Sequence, residues 1–149
     1  MAELIQGLLK LGKIMLTHGI YLLDTDTCIA LIKKHPNVRK HISNINPLDC
    51  KISEITHAEL LFGAVKSGQE RHFNDVIYVT TMFEEFRIGS CLRKYADIRW
   101  LLESQGQRID SLDLLIAATA LHYNLILVTG NEKHFNRITN LKIENWIKN

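Results

Sequence analysis

Short apolar runs bounded by turn or capping residues recur along the chain and predict five strands, over residues 20–23, 50–53, 86–88, 125–128 and 143–146. The segments between them carry helical periodicity, over 26–34, after Pro36, and over 57–65, 70–84, 91–103 and 111–123. Pro36 suits an early helical position, Ser67-Gly68 a helix stop, and Asn124 a left-handed cap. A short turn over 132–137 precedes the last strand. Strands that alternate with helices predict an α/β fold, with a mainly parallel sheet covered by helices on both faces.

Ahead of this pattern, residues 1–19 read as a separate amphipathic helical segment, with Leu4, Ile5, Leu8, Leu9 and Leu11 beside Lys10 and Lys13. The segment lacks a basic n-region and a small-residue cleavage site, so it does not read as a signal peptide. A docked helix, an interaction segment and a start-site artefact with Met15 as the true start all fit it. No run reaches the ~18 apolar residues of a membrane span.

The chain's 149 residues suit one domain, here 20–149, and 46% hydrophobic with 23% charged residues excludes wholesale disorder. A net charge of +2 permits a nucleic-acid partner without requiring one. Cys28, Cys50 and Cys91 form no C-x-x-C and lie in or beside apolar runs. They read as buried free thiols of a reducing, cytoplasmic compartment.

The chemistry concentrates where strands end. Tyr21-Leu22-Leu23 breaks into Asp24-Thr25-Asp26-Thr27, so Asp24 reaches the crevice beyond the strand's carboxyl end. Glu59 lies in the first turn expected after the second strand, at the same edge. Asp113 opens the helix that runs back antiparallel to strand 125–128, so its end of that helix returns to that edge. Asp110 just precedes it, and Thr129-Gly130-Asn131 leaves the strand there. Clustered carboxylates repel unless a proton or cation is shared, and hard oxygen donors suit Mg²⁺ or Mn²⁺. Metal-dependent phosphodiester hydrolysis is the natural chemistry. Each acid also has a simpler role available: Thr56-His57-Ala58-Glu59 fits a capping box, and Asp110 with Asp113 fits a cap near a helix dipole.

From residue 20 onward the chain resembles PIN-domain ribonucleases, and more closely the VapC toxins of toxin–antitoxin pairs. The resemblance rests on Tyr21-Leu22-Leu23-Asp24-Thr25-Asp26-Thr27-Cys28-Ile29, Ile52-Ser53-Glu54-Ile55-Thr56-His57-Ala58-Glu59-Leu60-Leu61-Phe62-Gly63-Ala64 and Gly106-Gln107-Arg108-Ile109. It continues through Asp113-Leu114-Leu115-Ile116-Ala117-Ala118, Leu127-Val128-Thr129-Gly130-Asn131-Glu132-Lys133-His134-Phe135 and Leu141-Lys142-Ile143-Glu144-Asn145-Trp146. It implies a three-layer α/β/α fold and an endoribonuclease whose Mg²⁺ or Mn²⁺ is held by Asp24, Glu59 and Asp113. It also implies a VapB-like antitoxin that blocks the active site, and a homodimer.

Asn131 stands where many family members have a fourth acid, so Thr129 and Asn131 would orient ligands or water. Asp110 could supply the missing charge. Asp26, where asparagine is more usual, is either an additional nearby acid or a cap of its own helix.

Two other classes compete. Asp24-Thr25-Asp26-Thr27 also matches the D-x-D-x-T of haloacid-dehalogenase-like phosphatases, with Asp24 as nucleophile. That chemistry needs a further acidic motif directly after an apolar strand, and Gln105-Gly106-Gln107-Arg108-Ile109 before Asp110 is no strand core. A catalytically silent PIN-like module would keep the carboxylates only at the cost of their repulsion. Lys33, Lys34, Arg108, Lys133 and Arg137 are the cations expected near the edge, available to RNA phosphates. His57 and His134 read as capping or surface residues, Trp146 as packing, and Trp100-Leu101-Leu102 as core or interface.

Overall fold

The computed structural model describes residues 19–148, so the expectation for residues 1–18 lies outside the described residues. Five strands, β1 (Tyr21–Leu23), β2 (Cys50–Ser53), β3 (Glu84–Phe86), β4 (Ile126–Val128) and β5 (Ile143–Glu144), form one sheet in the order β3-β2-β1-β4-β5. Every pairing is parallel. The helices are α1 (Thr25–Ile32), α2 (Pro36–Ser43), α3 (Glu54–Ser67), α4 (Glu70–Met82), α5 (Leu92–Ser104), α6 (Ser111–His122) and α7 (Glu132–Phe135).

The central strands are apolar on both faces, as a covered parallel sheet demands. Side chains alternate across the pleat. Tyr21, Leu23, Ile52 and Val128 pack with Leu31, Val38, Leu60, Val76 and Trp146 on one face. Leu22 and Leu127 pack with Ile98, Leu102, Leu114, Ile116 and Phe135 on the other. These are the expected three layers, with α1 to α4 on one side and α5 to α7 on the other. α6 is the most enclosed helix, and Ile116, Ala117, Ala118 and Ala120 are fully buried.

Several boundaries differ from expectation for identifiable reasons. β3 lies at 84–86 rather than 86–88 because it is a polar edge strand, with Glu84 paired to Lys51 and Glu85 to His57. Hydrophobic periodicity is blind to such a strand. β5 stops at Glu144, because Asn145 Oδ1 accepts from the backbone N–H groups of Ile147 and Lys148 and turns the chain. Trp146 therefore folds back, fully buried, edge-on to Tyr21 at 5.0 Å.

α3 begins at Glu54, three residues ahead of the expected 57, because Ser53 caps it by accepting from Thr56 N. Asn124 takes the expected positive φ of 54°. Cys28, Cys50 and Cys91 are free and buried. Burial pushes the Cys50 thiol up to about 12. In α5, Leu102 joins the core, whereas Trp100 and Leu101 face outward. Among the described residues no helix is long and apolar enough to cross a membrane.

Candidate active site

Because all five strands run the same way, their carboxyl ends share one edge of the sheet. Asp24 leaves β1 at that edge and caps α1, and its Oδ1 accepts from Thr25 N at 2.8 Å. Its Oδ2 accepts from the Thr129 hydroxyl at 2.8 Å. The Asp24 backbone N–H donates to Val128 O at 2.9 Å, which locks β1 to β4 where both end. Asp24 is 6% exposed. That burial, reinforced by the nearby Asp26 and Asp113 charges, pushes its carboxyl up to about 7 against the lowering effect of Thr129 and Thr25.

Glu59 sits in the second turn of α3 rather than the first, since Ser53 and not Thr56 is the cap. It is thus free of helix capping. Its Oε1 accepts from Thr25 Oγ1 at 2.9 Å, tying α3 to α1. Burial raises its pKa, and the Asp113, Asp110 and Asp26 charges add to the rise while the Thr25 hydroxyl opposes it. Acids from three segments therefore act on one another.

Asp113 occupies the first turn of α6, and its Oδ2 lies 3.2 Å from His134 Nδ1. His134 Nδ1 also lies 2.8 Å from Asn131 Nδ2, and Asn131 N donates to Thr129 Oγ1 at 3.0 Å. Polar contacts therefore run Asp24–Thr129–Asn131–His134–Asp113, with His134 Nδ1 either donating to Asp113 or accepting from Asn131. His134, expected at the surface or in a cap, is instead part of this run of contacts. Sequence spacing gave no sign of it, because α7 is only four residues long and its direction depends on the preceding turn.

Asp26 does not cap its helix, a role Asp24 fills. Its Oδ2 accepts from Gly130 N at 2.8 Å, so it braces the loop after β4. A methyl at Gly130 would meet that same oxygen at 2.8 Å and Ile147 Cδ1 at 3.1 Å, so any side chain here would make those two side chains shift. Asp110 is exposed and caps α6 through Leu112 N at 2.9 Å. Thr25, which bridges toward Glu59, was also missed; its position between Asp24 and Asp26 was its only signal.

Among the described residues none of Asp24, Asp26, Glu59 and Asp110 forms an ion pair with a cationic side chain. As they stand, no three His, Cys, Asp or Glu side chains among the described residues are drawn together enough to hold a metal ion. Each acid is instead turned to a hydroxyl, amide or imidazole partner.

The expected cations scatter. Lys33 and Lys34 follow the far end of α1, because that helix runs away from the edge for ~12 Å. Lys33 still lines a cavity of about 540 Å³ with Glu59, Leu60 and Val76, whereas Lys34 lines a separate one with Arg39 and Asp75. Arg108 is exposed and lies 3.9 Å from Glu103. Lys133 in α7 and Arg137 just after it are exposed.

The phosphatase alternative fails on this geometry. β4 leads into Thr129-Gly130-Asn131 with no acid, and Asp110 heads a helix rather than ending a strand.

The family model described as "PIN domain" matches residues 21–141. Ribonuclease VapC2 of Rickettsia felis is 38% identical over 136 residues, covering 87% of this chain and 99% of that protein. The tRNA(fMet)-specific endonuclease VapC of Shigella flexneri is 31% identical over 128 residues, covering 85% of this chain and 97% of that one. Among solved structures, DNA-bound VapBC from Salmonella typhimurium superposes with a TM-score of 0.80 at 32% identity, over 87% of this chain and 99% of that one. The fold, the shared sheet edge and these likenesses agree: the chain belongs to the VapC ribonucleases of the PIN-domain family.

Proposed function

We propose that the chain is a metal-dependent endoribonuclease, the toxin of a toxin–antitoxin pair, which hydrolyses RNA phosphodiester bonds. The observation that carries this reading is the Asp24 carboxylate, 6% exposed, near Asp26 and Asp113, with no cationic side chain among the described residues to offset it. A buried acid in that setting is stabilised by a proton or a cation. The donors present are hard carboxylate, hydroxyl and amide oxygens, which fit Mg²⁺ or Mn²⁺.

Asp24, Glu59 and Asp113 are the proposed ligands and catalytic acids. A bound divalent ion there supplies water activation and stabilises charge on the attacked phosphate. The protein's own contribution is positional. Thr129 and Thr25 N fix both Asp24 oxygens, Thr25 Oγ1 holds Glu59, and His134 holds Asp113. Glu59 and Asp113 approach the edge from helices in opposite layers of the fold. Asp26 stiffens the loop that carries Thr129 and Asn131, and Asp110 adds charge at the rim.

The partner is a VapB-like antitoxin, as in the VapBC complexes of the similar solved structures. The cavity shared by Ile29, Ile32, Leu60, Val76 and Glu59 offers such a partner an apolar surface against one of the acids. A homodimer and a cytoplasmic location complete the proposal, the latter in keeping with three buried free thiols.

The test is cleavage of a structured RNA panel by the pure protein with Mg²⁺ or Mn²⁺, then with EDTA, beside an Asp113→Asn variant. Metal-dependent cuts that disappear in the variant support the assignment. Equal behaviour of both proteins, with or without metal, leaves a silent binding module.

A further inference from the structure

Where the chain turns back after β5, Asn37, Lys40, His41 and Asn44 of α2 and its C-terminal cap face Lys148 across a cavity of about 320 Å³. No acid lines it. Lys40 has no ion-pair partner among the described residues. His41 lies exposed and flat on the buried Trp146 indole, at 5.1 Å between centroids and 2° between planes. Two contacts link the cavity to the loop after β4. Asn37 Nδ2 donates to Ile147 O at 3.1 Å, and Ile147 packs near Gly130, whose N–H holds Asp26. On the other wall Lys148 Nζ pairs with Glu132 Oε2 at 2.6 Å, and Glu132 follows Asn131 directly.

Resting on the ribonuclease reading, we propose that this cavity is an RNA subsite for a nucleotide flanking the one cut, with Lys40 and Lys148 on its phosphate and the His41 ring stacked on its base. Cations beside a supported flat ring are what a single strand uses: phosphates take the charge, and any base offers a π-face. The acidic edge by itself repels the backbone that it must admit. A basic cavity one loop away supplies the compensating attraction and sets the strand's direction. Among the described residues the amide oxygens of the partly buried Asn37 and the exposed Asn44 accept no hydrogen bond and can read a base edge.

The experiment measures binding of a fluorescent single-stranded RNA of about 12 nucleotides, within the usual single-strand site sizes. Fluorescence anisotropy is read over a salt series in the Asp113→Asn background with Mg²⁺. Wild-type cleavage of the same RNA runs in parallel. Lys40→Gln is expected to reduce the slope of log affinity against log salt by about 0.7. His41→Ala is expected to weaken binding at least about fivefold, and His41→Phe to restore it by keeping the stack. Lys94→Gln, on the exposed face of α5, is the comparison. Wild-type cleavage with Lys40→Gln and His41→Ala matching Lys94→Gln would overturn the subsite alone. A wild-type protein that neither cleaves nor binds RNA would overturn both readings.

Discussion

The Thr129 hydroxyl donates to Asp24 Oδ2 at 2.8 Å, joining two residues 105 positions apart at the ends of neighbouring strands. With Thr25 N on the other oxygen, it leaves the Asp24 carboxylate a single orientation. Thr129→Val keeps the shape and removes the donor. Since that bond lowers the Asp24 pKa, the variant's carboxyl should titrate above about 7. We expect cleavage at neutral pH to fall ~10-fold or more, as for other groups that orient metal ligands. The rising limb of the pH–rate profile should move to higher pH. An unmoved limb would remove Thr129 from this role.

Asp24 also sets a pH dependence of stability in metal-free protein. Its carboxyl titrates near 3.9 in an unfolded chain, to within the usual scatter, and is held up to about 7 in the fold. Between these values the native state binds a proton that the unfolded state has lost, so stability falls as pH rises through that window. Below it both states are protonated and the contribution levels off. The full effect is on the order of 4 kcal/mol. Urea midpoints in EDTA from pH 4 to 8 should decline more steeply for wild type than for Asp24→Asn. Parallel curves would contradict the burial argument.

Divalent cations should act in the opposite sense. An ion that binds only the native state at 100 times its dissociation constant adds ~2.7 kcal/mol. Thermal melts at pH 8 with Mg²⁺ or Mn²⁺ should therefore shift upward, and the shift should vanish in Asp24→Asn. A shift of equal size in the variant would place the ion elsewhere.

His134 is expected to position Asp113, not to react. His134→Gln keeps a donor near Asp113 Oδ2 and should cost only a few-fold in rate. His134→Ala should cost ~10-fold, and Asp113→Asn should abolish cleavage. Single-turnover rates on one RNA separate the three. An Ala variant as inactive as Asp113→Asn would make the imidazole itself catalytic.

Gly130→Ala tests the brace between α1 and the loop after β4. The added methyl would meet Asp26 Oδ2 at 2.8 Å and Ile147 Cδ1 at 3.1 Å. Asp26 must then give up its bond to Gly130 N. Overpacking of this kind costs ~1–3 kcal/mol, read as a lower urea midpoint. Unchanged stability would show that the loop relaxes without strain.

What was legible in the sequence followed from local rules. Apolar runs of strand length between helical periods gave the α/β class and the positions of β1, β2 and β4 to within a residue. Parallel strands then oblige Asp24 and Thr129 to share an edge, and the length of α6 returns Asp113 to it. β3 lies two residues ahead of the apolar run that predicts it, because an edge strand of Glu84-Glu85-Phe86 is held by pairing to Lys51 and His57 rather than by burial. The end of β5 was overrun because a side-chain turn at Asn145, not hydrophobicity, stops it.

The sequence by itself determined which acids lie toward the carboxyl edge of the sheet, because strand order along the chain and helix length follow from short segments. Only the tertiary structure decided how each acid is held. Thr25 on Glu59, Thr129 on Asp24, His134 on Asp113 and Gly130 on Asp26 are bonds between segments 21 to 105 residues apart. Their geometry depends on side-chain rotamers and loop directions fixed by packing of the whole domain, and local periodicity carries no record of either.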